Sequence, residues 1–106
     1  MVLSHSVKDV IVFGHRFFIQ CLWRDKVFMA WIKVKGGRDG AAMWRANFNI
    51  PSLDKKISCE TKVFPIDMSN DAIIDSGDCL ILAEREVKRF FGVGKIQIDV
   101  NINMDV

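Results

Sequence analysis

Lys95-Ile96-Gln97-Ile98-Asp99-Val100-Asn101-Ile102-Asn103-Met104-Asp105 alternates apolar and polar residues without a break until its last position. Successive side chains of a β-strand point to opposite faces. Period two therefore gathers Ile96, Ile98, Val100, Ile102 and Met104 on one side. Gln97, Asp99, Asn101 and Asn103 fall on the other. One dry face and one wet face mark an antiparallel sheet that covers a core from one side.

Working upstream, Phe13 to Trp23 reads as a longer strand, with Phe13, Phe17, Ile19, Cys21 and Trp23 on one face. Arg24-Asp25-Lys26 is a polar turn, so Val27 to Lys35 returns as a hairpin partner. Phe28, Ala30, Ile32 and Val34 form one face of that partner, and Val27, Met29, Trp31 and Lys33 the other. Gly36-Gly37-Arg38-Asp39-Gly40 has the composition of a hairpin loop. Ala41 to Ile50 follows as a strand with Trp44, Ala46, Phe48 and Ile50 inward, until Pro51 breaks it.

Ile57 to Val63 is a further strand. Asp67 to Ile74 predicts a helical turn with Ser69 as N-cap and Asp71 near its positive end. Cys79 to Leu82 reads as a short, fully buried strand. Glu84 to Phe91 fits an amphipathic helix with Val87 and Phe90 or Phe91 facing the core, closed by Gly92 and Gly94. The sum is an all-β fold, an antiparallel β-sandwich of about seven strands with one or two short helices, in one domain over residues 1–106.

Composition agrees with a globular domain: half of the residues are hydrophobic, and net charge is only +2. Basic residues concentrate in residues 1–62 and acidic ones in 63–106, an asymmetry that suits an oppositely charged partner or two solvated faces. Cys21, Cys59 and Cys79 are odd in number and far apart in sequence, which fits reduced core thiols better than a disulfide or zinc framework. Met1-Val2-Leu3-Ser4-His5 lacks the charged and apolar regions of a signal peptide, and no apolar run reaches the ~20 residues of a membrane helix. A soluble, cytoplasmic and/or nuclear protein is expected, with no cofactor.

The residue types that carry chemistry are sparse. His15 sits among apolar residues and reads as a core or structural histidine, and nothing in its spacing demands contact with a cysteine. Asp67, Asp71, Asp75 and Asp78 lack the glycine and closing glutamate of a calcium loop, so turn and N-cap duty is expected and no metal. Lys33, Lys35, Arg38 and Arg45 beside Trp31 could line a single-stranded nucleic-acid groove, but near-neutral net charge favours solvated hairpin charges. Val27, Met29 and Trp31 are a candidate interface. If their face is open, a partner would cover it; otherwise a helix, loop or second sheet must.

The ordered pattern resembles the seven-in-absentia family in its C-terminal, TRAF-like (MATH-like) sandwich. The resemblance rests on Phe13-Gly14-His15-Arg16-Phe17, on Ala30 to Ala41 with its glycine loop, and on Trp44 and Glu60. It is strongest from Ser76 to Met104, through Asp78-Cys79-Leu80, Phe90, Gly94, Ile98, Val100 and Ile102. It implies a substrate- or adaptor-binding and dimerising domain, which in the family accompanies a RING and two zinc fingers in a ubiquitin ligase. This chain has no Cys/His-rich half, so no enzyme activity of its own is expected.

The family's groove holds an extended degron peptide by strand addition, alongside the strand before the Phe-Gly-His motif. The matching segment here is Ser6-Val7-Lys8-Asp9-Val10, in which Ser6 and Lys8 replace the family's tryptophan and methionine. The backbone edge is expected to persist and the usual apolar pocket is not. The preferred reading is a protein-binding module that takes a partner protein or peptide and forms a homo- or heterodimer. The alternative is a stand-alone scaffold or dimerisation domain with degron binding lost. A small hydrolase or a nucleic-acid binder is the least favoured class.

Overall fold

The computed structural model describes residues 5–50, 57–91 and 98–104. Ile96, the Pro51 break and the Gly92/Gly94 closure lie outside the described residues, as do the side chains of Phe90 and Phe91. The elements are β1 (His5–Val12), β2 (His15–Arg24), β3 (Val27–Val34), α1 (Arg38–Ala41), β4 (Trp44–Ile50), β5 (Ile57–Lys62), β6 (Phe64–Pro65), α2 (Asn70–Ser76), β7 (Leu80–Ala83), α3 (Glu84–Phe91) and β8 (Asp99–Met104).

Two sheets form. The first runs β1-β2-β3, and the far side of β3 is shared by two short strands. There β7 pairs antiparallel with Val27 to Ala30, while β6 pairs parallel with Lys33 and Val34. The second sheet runs β5-β4-β8, all antiparallel. Stacked face to face they make the expected sandwich.

Both hairpins of the first sheet use two-residue loops with positive φ at both positions. Phe13 (φ 51°) and Gly14 (φ 77°) join β1 to β2; Asp25 (φ 51°) and Lys26 (φ 64°) join β2 to β3. That backbone matches the right-handed twist of the flanking strands. Phe13 is therefore a turn residue, 69% exposed, rather than the first inward residue of a strand.

The Gly36–Gly40 loop differs more. It forms a single helical turn, α1, and delivers the chain to β4 in the opposite sheet. The expected hairpin is thus a crossover. The physical reason is that β3 is already flanked by β2 on one side and by β6 and β7 on the other, leaving no edge for β4.

Between the sheets, Phe17, Phe28, Ala30, Ile32 and Val34 meet Trp44, Ala46, Phe48, Ile50 and Ile102. Ile98 and Val100 pack half-buried against this core, and burial fades at Met104, which is 51% exposed where β8 ends. Leu80, Leu82 and, from α3, Val87 complete the core. Cys79 to Leu82 is not buried throughout, because Ile81 points outward and is half exposed.

A second, smaller core lies on the outer face of β3. Leu22, Met29 and Trp31 pack there with Phe64, Cys79 and Ile73 of α2. The helix starts where expected: the Ser69 side chain accepts a hydrogen bond from the Ala72 N–H at 3.2 Å. It ends on Gly77 in the left-handed region (φ 73°), whose N–H donates to the Ile74 carbonyl. With both ends capped, a helix of two turns can lie across the sheet and shield an indole.

Candidate partner-binding edge

Among the described strands β1 forms one edge of the first sheet and the short β6 and β7 the other, while β8 and β5 bound the second. An outermost strand carries backbone N–H and C=O groups on its free side, the raw material of strand addition. β1 holds register with β2 over its whole length, from His5 opposite Leu22 to Val12 opposite His15.

The two faces of β1 differ. On its outer face the Arg16 Nε donates to the Asp9 carboxylate at 2.8 Å, and Ile11 stands 74% exposed. That hydrogen bond, reinforced by the carboxylate charge, raises the guanidinium pKa above its ordinary value. On the inner face Val10 and Val12 pack against the main core. Lys8 is the third member of that inward row by strand alternation.

The inner face opens on a cleft of about 1040 Å³ between β1 and β8. Its floor is apolar, including Ile19, Phe28, Phe48, Val100 and Ile102. Lys8 lines it on one side, and Asp99 and Asn101 on the other. Lys8 puts a charge at one end of the row, while residues of the opposite sheet contribute apolar side chains to the cleft.

At the hairpin end of β1, aromatic rings cluster around Trp44, and one of them, Phe13, also lines the cleft. Phe13 stacks on Trp44 with centroids 5.9 Å apart, and His15 meets the same indole edge-on at 5.1 Å. Phe17 packs on it from within at 5.1 Å. His15 is exposed and packs on a tryptophan, so of the two roles expected, core or structural, it is outside the core.

The candidate interface Val27, Met29 and Trp31 requires correction as an open patch. Trp31 is 0% and Met29 5% exposed, and Val27 packs beside them. The Trp31 Nε1–H donates to Gln20 Oε1 at 2.7 Å, so the indole is satisfied where it is buried. A Trp/Met/Leu face is worth about 1.5–3 kcal/mol per side chain to cover, and α2 covers it from within the chain.

The basic stripe also fails to assemble. Lys33 and Trp31 are buried on the outer face of the first sheet, whereas Arg45 lies on the outer face of the second. Burial lowers the Lys33 pKa, opposed by the charge of Asp67.

The carboxylates of the acidic run have separate jobs. Asp78 accepts from the Lys62 N–H at 3.3 Å, and Asp71 lies 3.7 Å from Arg24. Among the described residues no group of three or more His, Cys, Asp or Glu could hold a metal. Cys79 is buried, and its burial, helped by Asp78 and Cys59, raises its thiol pKa; Cys59 is raised by burial and then Asp78. Such thiols stay protonated and unreactive at neutral pH. No described helix is long and apolar enough to cross a membrane.

The features together define a class: a small β-sandwich with an edge strand beside a cleft of mainly apolar lining. The family model described as "Sina, TRAF-like domain" matches residues 10–101. The chain belongs to that family, whose domain binds substrates and is a protein-interaction module. No curated protein matches the sequence.

Sequence reasoning missed the residues that β8 and β4 bring to the cleft, above all Phe48, Asp99, Val100 and Asn101. The usable signal was the inward row Lys8-Val10-Val12, in which a charge interrupts an otherwise apolar face.

Proposed function

We propose that this domain holds an extended segment of a protein partner along β1, extending the first sheet by one strand. The observation that carries the reading is an outermost strand beside an apolar cleft within a family of interaction domains. Main-chain hydrogen bonds would supply affinity, and alternate side chains of the partner would enter the cleft. Ser6, Val7, Lys8, Asp9 and Val10 are the receiving strand. In this reading the partner segment acts as a degron or adaptor motif for a ubiquitin ligase. The domain works as a homo- or heterodimer in the reducing cytoplasm or nucleus, where thiols such as those of Cys59 and Cys79 stay reduced.

The test is amide chemical-shift mapping with peptides enriched on the immobilised domain from a random nine-residue display library. Shifts should cluster on His5–Val12 and the cleft-lining positions of β8. Shifts confined to β5 or to α3 would refute the assignment.

A second reading has its own support. An inward-pointing charge on an outermost strand discourages pairing, and Lys8 is such a charge. On this view the domain is a stand-alone scaffold that dimerises and no longer takes a peptide. Sedimentation equilibrium showing a dimer, with no peptide retained at millimolar concentration, would favour it.

A further inference from the structure

We infer that Lys8 makes this edge selective for a segment with an acidic residue opposite it and apolar residues two and four positions along, facing Val10 and Val12. The inference rests on the strand-addition reading above. Among the described residues Lys8 is the one cationic side chain lining the cleft, and along β1 it is followed on the same face by two valines packed on the core. The neighbouring acid, Asp9, is on the opposite face and already engaged by Arg16. Among the described residues Lys8 has no carboxylate partner. Asp99 and Asn101 line the cleft from β8 at positions that alternate with Val100 and Ile102, so they stand at its rim rather than on its floor.

An added strand would set its own inward residues directly opposite this row, with Cβ atoms ~4.5–5.5 Å away. At that spacing an ammonium rewards a carboxylate and penalises a lysine or arginine. The lysine stem can still lie along apolar surface while its head meets the incoming charge. The same side chain thus discourages a second apolar or cationic edge and admits an acidic one, which is how specificity arises from a repulsive as well as an attractive element.

The random nine-residue display library, panned on wild type, Lys8→Glu and Lys8→Met, separates the possibilities. Wild type should enrich Asp or Glu at one fixed position with apolar residues two and four places away. Lys8→Glu should enrich Lys or Arg there, and Lys8→Met an apolar residue. For one enriched acidic peptide, Lys8→Glu should weaken binding roughly five- to tenfold at ~0.15 M salt, and ~1 M salt should shrink the difference. Unchanged melting temperatures would show that the variants remain folded. If peptides shift β1 amides but all three proteins enrich the same motif, the selectivity inference is overturned and strand addition stands. If no protein retains a peptide at β1, both fall.

Discussion

Truncating Ile73 to alanine should remove the keystone of the second core. Ile73 is fully buried in α2 and packs with Met29 and Trp31 on the outer face of β3. Isoleucine-to-alanine changes at such sites cost about 2–5 kcal/mol, the transfer of the lost methyls plus the cavity left behind. A seven-residue helix can partly collapse into the gap, which argues for about 3 kcal/mol. In a domain this size each kcal/mol moves the melting temperature by ~4–8 °C, so a fall of roughly 12–24 °C is expected. Urea unfolding followed by tryptophan fluorescence measures the loss, and repeating it with Trp23→Phe and Trp44→Phe in the background isolates the exposure of Trp31. Ile81→Ala is the control, because Ile81 points outward from β7 and is half exposed. It should cost under about 1 kcal/mol. Equal effects of the two substitutions would refute the claim that α2 seals this face.

Further expectations follow from individual groups. Ser69→Ala deletes the α2 N-cap and should cost about 1 kcal/mol in urea melts. Asp25→Asn with Lys26→Gly suits the positive φ values of that turn and should raise stability by roughly 0.5–1 kcal/mol. Lys33 titrates below its ordinary value because burial disfavours its charge, so the unfolded chain holds that proton more tightly. Below the lowered folded-state pKa both states are charged and the penalty is constant; between it and 10.5 wild-type stability should rise with pH relative to Lys33→Met. Parallel urea midpoints across the alkaline range would count against this. Cys79 should react with a disulfide reagent at pH 7.5 only as fast as the protein opens, and rapid labelling of the native state would contradict its burial.

The fold was legible where one strand's own periodicity carried the information. The alternation through Ile98, Val100 and Ile102 and the inward row Trp44, Ala46, Phe48 and Ile50 both appear in the structure. So does the Asp25–Lys26 turn. What local pattern cannot carry is which sheet a strand joins. Gly36–Gly40 has the composition of a hairpin loop, yet strand pairing on both sides of β3 sends the chain across the sandwich. The Trp31 face posed the same difficulty, since its cover comes from a helix about forty residues later in the chain.

The candidate site divides along the same line. Both the strand at segment 6–10 and its peptide-receiving role came from the family resemblance, not from the segment's own pattern. The cleft beside it could not be foreseen, because half its wall comes from β4 and β8. Phe13 was misplaced for a smaller reason: apolar turn residues look like strand residues until a positive φ is known.

Amide hydrogen exchange of β1, with and without a saturating peptide enriched on the domain, tests the proposed role of this edge most directly. Amides of His5–Val12 that point away from β2 should exchange quickly in the free domain and slow strongly in the complex. Protection appearing instead along β5, with β1 unchanged, would show that the partner is held elsewhere.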